Sequence, residues 1–132
     1  MTVEQAMIGN DTAVLIVDDE PGMCWALGHI LRGNGIVSVA ATTGQEALRL
    51  AARERFHLAF VDAKLPDAEG LDLARRIREA NPGIRIVLVS GYFYGDDPEV
   101  LQAAAAGVIN GFVSKPFLHD EVRTIARAAL AP

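Results

Sequence analysis

The sequence predicts one α/β domain built on a parallel β-sheet, with helices packed on both faces. Its 132 residues suit a single domain with its own core. Hydrophobic residues make up 51% of the chain and charged residues 22%, which is the composition of a globular protein. Five short apolar runs also alternate with five segments of helical periodicity, and this repeated order is typical of a parallel sheet.

The first strand and helix show the pattern most clearly. The run AVLIV at 13–17 is short, apolar and rich in β-branched residues, and acids follow it directly, as expected of a buried strand. Pro21 suits the first turn of the next helix, where a backbone N–H would have no partner within the helix. The sequence Gly33-Asn34-Gly35 ends that helix.

Four further units repeat this order. The predicted strands cover 36–40, 57–61, 84–89 and 111–114. The predicted helices begin near Thr43, near Leu71, at Asp97-Pro98 and near Leu118. The inward face of the last helix is predicted to contain Leu118, Val122, Ile125, Ala126 and Ala129.

The domain is predicted to cover 12–130, and residues 1–11 are expected to be a flexible lead-in. The chain ends at Ala131-Pro132, which fits either a natural end or a domain cut from a longer protein.

Composition and charge exclude several classes of function. The net charge of −5 argues against direct binding of nucleic acid. A single cysteine, Cys24, excludes an internal disulfide or a zinc site built on several cysteines. No apolar run approaches the roughly 20 residues that cross a bilayer, and the acidic N-terminus is unlike a signal peptide. We therefore expect a cytoplasmic protein that does not bind membranes.

Polar side chains stand at the ends of four of the five predicted strands, where ligands bind in an open parallel sheet. These side chains are Asp18 and Asp19, Asp62, Ser90 and Lys115. They come together if the first and third strands are neighbours. Because carboxylates that converge repel one another, this arrangement needs a cation, and an all-oxygen set of ligands suits Mg²⁺.

The same residues suit the chemistry of a phosphoryl group. Mg²⁺ and Lys115 would neutralise its oxygens, and Ser90 would donate a hydrogen bond. A carboxylate can accept the group as a covalent aspartyl-phosphate. Asp62 is the predicted acceptor because it is the lone acid that ends the central strand, which leaves Asp18 and Asp19 to hold the metal.

Four separated motifs resemble the receiver domain of two-component response regulators. They are VDDE at 17–20, FVDAKLPDAEG at 60–70, LVSG at 88–91 and FVSKPF at 112–117. The motifs stand in the order and spacing of that family, and the resemblance covers 12–130. The stretch VDDEPGMCWAL is most similar to receivers that precede AAA+ activators of the nitrogen-regulator type. The resemblance implies a flavodoxin-like fold with strand order 2-1-3-4-5 and five helices.

The resemblance also implies a role for each site residue. Asp62 accepts the phosphoryl group from the phospho-His of a sensor histidine kinase or a phosphotransfer protein. Mg²⁺ is bound by Asp18, Asp19, Asp62 and the backbone carbonyl of Lys64. Ser90 is the switch hydroxyl, Phe112 is the switch aromatic, Lys115 contacts the phosphate, and the Lys115–Pro116 bond is cis.

The implied output is a change of surface rather than the turnover of a substrate. The fourth helix, fifth strand and fifth helix form the face that changes, and an unknown partner or output domain reads it. Phosphorylation-dependent pairing of two copies is a second possible output. The chain is thus expected to be a switch that catalyses only its own phosphorylation and dephosphorylation.

Three positions depart from the commonest pattern of the family. Lys64 follows the acceptor closely, and we hypothesise that it screens the aspartyl-phosphate from water. Tyr92, in an unusual aromatic loop, is a second candidate to flank the site. Phe112 stands where tyrosine is frequent, so packing alone must hold its outward conformation.

Alternative interpretations remain open at this point. Trp25 is either half-buried at the edge of the core or a contact for a kinase helix. The whole chain could instead be a binding module that is never phosphorylated, although its complete set of site residues argues against this. A phosphohydrolase with an aspartate nucleophile is the other alternative, but the first strand lacks the DxD arrangement that such enzymes carry.

Overall fold

The computed structural model describes residues 14–91 and 96–131, in which five strands alternate with five helices. The strands are β1 (Val14–Val17), β2 (Ser38–Ala41), β3 (Leu58–Asp62), β4 (Arg85–Ser90) and β5 (Gly111–Ser114). The helices are α1 (Pro21–Arg32), α2 (Gly44–Arg53), α3 (Gly70–Ala80), α4 (Pro98–Ala105) and α5 (His119–Leu130). The predicted lead-in over 1–11 lies outside the described residues.

All strand pairs are parallel, and the sheet order is β2-β1-β3-β4-β5. This confirms the predicted architecture. Val17 at the end of β1 pairs with Ala41 of β2 on one side and with Val61 of β3 on the other. Because the strand ends are level, the residues that follow β1, β3 and β5 emerge at the same edge of the sheet.

The core has two parts, one on each face of the sheet. Alternate residues of β1 point to opposite faces, so Leu15 belongs to one cluster and Ile16 to the other. Helices α2 and α3 cover the first cluster, together with the inner side of α4. Helices α1 and α5 cover the second cluster. The central strands are buried on both faces, which explains why they are continuous apolar runs.

The buried side chain of Asn81, just after α3, connects the end of α2 to the segment that leads into β3. Its Oδ1 accepts the Phe56 N–H at 2.9 Å, and its Nδ2 donates to the carbonyl of Glu54 at 3.2 Å and to that of Ala51. These bonds satisfy carbonyls at the end of α2 that have no partner within the helix.

Strand β2 begins two residues later than predicted, at Ser38 instead of Ile36. The N–H of Ile36 donates to the carbonyl of Leu31 at 2.9 Å, so this residue closes the turn after α1. The predicted strand over 36–40 was therefore wrong at its start, because the apolar pattern does not distinguish a turn residue from a strand residue.

Two side chains are more exposed than the sequence suggested. Leu118, predicted on the inward face of α5, is 70% exposed because it precedes the helix in extended conformation, where helical spacing does not apply. Trp25 is 69% exposed, which contradicts a half-buried position at the edge of the core. Its ring stacks on His29, one helical turn later, with 5.0 Å between the ring centroids.

Within the described residues, every helix is too short or too polar to cross a bilayer.

Candidate functional site

The candidate site lies at the carboxyl edge of the sheet, where the ends of β1, β3, β4 and β5 bring four polar residues together. Asp18 follows β1 directly, Asp62 ends β3 and Ser90 ends β4. All three are buried, with exposures of 1%, 6% and 0%. The backbone N–H of Lys115, just after β5, donates to the Ser90 carbonyl at 2.9 Å, which places Lys115 beside them.

The ammonium of Lys115 connects the carboxylates of two neighbouring strands. Its Nζ lies 2.9 Å from Asp18 Oδ2 and 3.4 Å from Asp62 Oδ2. Glu20 Oε1 is more distant, at 3.8 Å, and its side chain is exposed. Buried carboxylates are costly unless a charge or hydrogen-bond donor compensates them, and Lys115 supplies both.

The electrostatic environment of Asp62 opposes its negative charge. Burial and the neighbouring charge of Asp18 raise the pKa of the Asp62 carboxyl, and the attraction of Lys115 reduces this rise without cancelling it. Burial disfavours the charged form of Lys115, but Asp18 and Asp62 together outweigh burial and raise the pKa of its ammonium. The site thus holds an excess of negative charge that one ammonium does not fully compensate.

Three acids at the end of β1 could hold a metal ion. One carboxylate oxygen from each of Asp18, Asp19 and Glu20 lies within 4.8 Å of the other two. Asp18 is buried, whereas Asp19 and Glu20 are exposed. These hard oxygen donors, with two of three side chains open to water, fit Mg²⁺, which keeps several water ligands in proteins.

The structure therefore adds Glu20 to the acids named from the sequence. The sequence already indicated Glu20 as a candidate, since it is the third acid of the VDDE motif. Asp62 lies outside this three-acid group. It is linked to Asp18 through Lys115 instead.

The segment from Ala63 to Glu69, here called the β3–α3 loop, lies beside Asp62. The backbone N–H of Lys64 points to Asp62 Oδ1 at 3.5 Å, while the Lys64 side chain is exposed. Gly70, the first residue of α3, packs against the backbone of Asp62 and Ala63. A Cβ at Gly70 would collide with the Asp62 carbonyl oxygen and lie 2.7 Å from Ala63 Cα, so only glycine lets α3 start here.

A buried thiol donates a hydrogen bond to the backbone of the site. Cys24 Sγ, on α1, donates to the Asp18 carbonyl oxygen at 3.3 Å. Burial, with the charge of Asp18, raises the pKa of this thiol. Cys24 therefore remains a neutral hydrogen-bond donor. The apolar residues around Cys24 in the sequence did not indicate this hydrogen bond.

Of the remaining predicted site residues, the structure describes Phe112 and Pro116. Phe112 pairs with Leu88 across the sheet and is half-buried against the core. The Lys115–Pro116 peptide bond is cis, as the resemblance implied. Tyr92 lies outside the described residues.

Comparison with known proteins identifies the family and agrees with the observed fold. A family model described as "Response regulator receiver domain" matches residues 14–127. The probable transcriptional regulatory protein TcrX of Mycobacterium tuberculosis is 33% identical over 125 residues, which are 92% of this chain and 51% of TcrX. The chain thus spans about half the length of this curated relative.

Two solved structures are similar over nearly the whole chain. A CheY-like response regulator receiver domain protein from Methanospirillum hungatei superposes with a TM-score of 0.83 at 28% identity, covering 91% of this chain and 94% of that one. The receiver domain of sensor histidine kinase PA1611 from Pseudomonas aeruginosa has a TM-score of 0.78 at 26% identity, covering 92% and 99%. That structure holds a magnesium ion in its active-site cleft.

Proposed function

This chain belongs to the response regulator receiver domains of two-component signalling, and from this premise we propose that Asp62 is its phosphoacceptor. The proposal depends above all on the position of Asp62, buried at the end of β3 with Lys115 Nζ 3.4 Å from its carboxylate. A sensor histidine kinase or a phosphotransfer protein is the proposed donor.

In the proposed transfer, a carboxylate oxygen of Asp62 attacks the phosphorus of a phosphohistidine. The new O–P bond forms as the N–P bond breaks, and the electron pair of that bond stays on the imidazole nitrogen. Lys115 lies within reach of the acceptor carboxylate and stabilises the negative charge that the phosphoryl oxygens bring. Ser90, buried at the end of the adjacent strand, is the proposed hydrogen-bond donor to one of them.

Mg²⁺ is the proposed cofactor, held by Asp18 and Asp19 with Asp62 and the backbone carbonyl of Lys64, and Glu20 is a further candidate ligand. When bound, the ion would neutralise phosphoryl oxygens and the excess negative charge of the acids. Asp18 would then exchange its contact with Lys115 for one with the ion, which leaves the ammonium to pair with the phosphate. Attack of water on phosphorus would break the bond between Asp62 and phosphorus, release inorganic phosphate and regenerate the Asp62 carboxylate.

The proposed output surface contains α4, β5 and α5. Helix α4 is held in the core by only two buried residues, Val100 and Ala103, so little apolar packing opposes its displacement. A cavity of about 390 Å³ lies between this helix and β5, and Phe112 lines it. Movement of Ser90 toward a phosphate would give Phe112 space to move inward, which would change this surface. A partner protein, an output domain or a second copy would read the change.

Incubation with Mg²⁺ and acetyl phosphate, followed by intact mass measurement, tests the assignment. We expect a mass gain of one phosphoryl group that Asp62→Asn abolishes and that Asp72→Asn, an exposed aspartate on α3, retains. No gain in the wild type would favour a binding module that is never phosphorylated. Rapid turnover of many small phosphate esters would favour a phosphohydrolase.

A further inference from the structure

One exposed carboxylate connects the β3–α3 loop to a helix on the neighbouring part of the sheet. Asp67, in this loop, accepts the N–H of Gly44 on Oδ1 at 2.8 Å and the N–H of Gln45 on Oδ2 at 3.0 Å. Both donors belong to the first turn of α2, where N–H groups have no partner within the helix. The helix dipole also favours a negative charge at this end.

Helix α2 does not need Asp67 for an ordinary N-cap, because it has one of its own. Thr43 Oγ1 accepts the N–H of Glu46 at 3.1 Å, and Glu46 Oε1 accepts the N–H of Thr42 at 3.0 Å. Asp67 satisfies two other donors from a distant part of the sequence. Its contact therefore fixes the loop relative to α2, in addition to any effect on the helix itself.

The contact between loop and helix is close. A Cβ at Gly44 would lie 3.1 Å from Ala68 Cβ and 3.3 Å from Asp67 Oδ1, which is tighter than ordinary packing allows. The two N–H bonds also lower the pKa of the Asp67 carboxyl, because they favour its charged form.

The loop is internally bonded, so a restraint at Asp67 extends to the site. The N–H of Leu65 donates to the Ala68 carbonyl at 3.0 Å, and Lys64 forms an antiparallel bridge with Glu69. Pro66 fixes its own φ angle between them. Few backbone rotations are left between Asp67 and Lys64, whose N–H points to Asp62.

We propose that Asp67 is a positioning residue for the metal. By fixing the tip of the β3–α3 loop to α2, it holds the Lys64 backbone where its carbonyl serves as a ligand. This inference rests on the proposed function, because it assumes that Mg²⁺ binds beside Asp62. Asp67 itself touches neither the metal nor the phosphoryl group.

The test compares Asp67→Ala and Asp67→Asn with a matched control, Thr43→Ala. The control removes a side-chain acceptor from the same first turn of α2 but leaves the loop contact intact. Two quantities are measured on the full chain: amide hydrogen exchange of residues 63–70 in metal-free protein, and the Mg²⁺ dissociation constant by calorimetric titration. Thermal unfolding of each variant shows how far it is destabilised.

We expect Asp67→Ala to speed exchange in the loop and to weaken Mg²⁺ binding by roughly 10-fold, the lower end of the range for loss of a residue that orients a metal ligand. Asp67→Asn keeps one acceptor oxygen and should show a smaller effect. Thr43→Ala should lower the unfolding temperature and leave the Mg²⁺ affinity unchanged.

The outcomes separate this inference from the proposed function. Wild-type Mg²⁺ affinity in Asp67→Ala, or equal weakening in Thr43→Ala, would overturn the positioning role alone. If the wild type itself does not bind Mg²⁺, or binds it equally well after Asp62→Asn, the proposed metal site is wrong and the positioning role is wrong with it.

Discussion

At the scale of single residues, Asp62 sits in an environment that opposes its own charge. Its pKa is raised in the folded state by burial and by Asp18, so the ionised carboxylate costs stability at neutral pH. Groups in this condition are frequent at functional sites, where reactivity rather than stability decides the residue.

We therefore expect Asp62→Asn to raise the thermal midpoint of the metal-free protein by a few degrees at pH 7. The folded state binds more protons than the unfolded state between the ordinary pKa of 3.8 and the raised value, so stability falls as the pH rises through this window. The increase in thermal midpoint caused by Asp62→Asn should be complete at pH values above this range and should disappear below it. Thermal melts of both proteins across acidic and neutral pH measure the difference, with Asp72→Asn as an exposed control. An advantage that persists below pH 3.8 would argue against a titration effect.

A second residue-scale prediction concerns Lys64. Its exposed side chain lies two residues after the acceptor, so its ammonium can pair with a phosphoryl oxygen and obstruct the path of water to the aspartyl-phosphate. We expect Lys64→Ala to shorten the phosphate lifetime by roughly two- to fivefold, which corresponds to ~0.5–1 kcal/mol for one solvent-exposed charge. Decay is followed by intact mass after removal of acetyl phosphate. An unchanged lifetime would contradict the screening role, and Arg75→Ala on α3 controls for a general loss of positive charge.

At the scale of secondary structure, Asn81 shows how one buried polar side chain joins separate elements. Its amide bonds the end of α2 and the segment that leads into β3, while the residue itself follows α3. Apolar periodicity contains no information about such a contact.

We expect Asn81→Ala to lower the free energy of unfolding by about 2–3 kcal/mol, because it leaves buried backbone donors and acceptors without partners. Chemical denaturation measures this loss. Asn34→Ala is the comparison, since the Asn34 side chain makes only partly buried or exposed contacts at the end of α1. Similar losses of unfolding free energy in the two variants would mean that the burial of the Asn81 hydrogen bonds does not increase their contribution to stability.

The elements themselves were predictable to different degrees. The strands β1, β3 and β4 stand out because both faces are buried, and Thr43 and Pro21 mark the starts of helices correctly. The start of β2 and the place of Leu118 were wrong, because at the ends of elements backbone hydrogen bonds decide the structure and side-chain character does not. The half-buried alternative for Trp25 was wrong for a related reason: hydrophobicity favours burial but does not enforce it.

For the candidate site, the sequence located the residues but not their mutual contacts. Asp18, Asp62, Ser90 and Lys115 all lie at strand ends, and the topology of a parallel sheet brings strand ends together. The pairing of Lys115 with both carboxylates, the grouping of Glu20 with Asp18 and Asp19, and the contact of Asp67 with α2 depend on loop geometry. No local pattern in the sequence specifies that geometry.

At the scale of the whole molecule, the proposed metal links the site to global stability. A ligand that binds only the folded state stabilises it by about 1.4 kcal/mol when its concentration is tenfold above the Kd. We expect Mg²⁺ to raise the unfolding free energy of the wild type by this amount and to have little effect on Asp18→Asn, which loses the one buried acid of the cluster. Denaturation with and without Mg²⁺ measures the difference. Equal stabilisation of the two proteins would place the ion elsewhere.

The sheet order also bears on how the chain is made. A protein leaves the ribosome N-terminus first, and on the side of β1 away from β2 the strands β3, β4 and β5 lie in their order of synthesis. Lys115 follows the last of these strands. During synthesis the carboxylates of Asp18 and Asp62 therefore emerge before their ammonium partner, and the contact of Lys115 with both of them can form only when the final segment has joined the sheet.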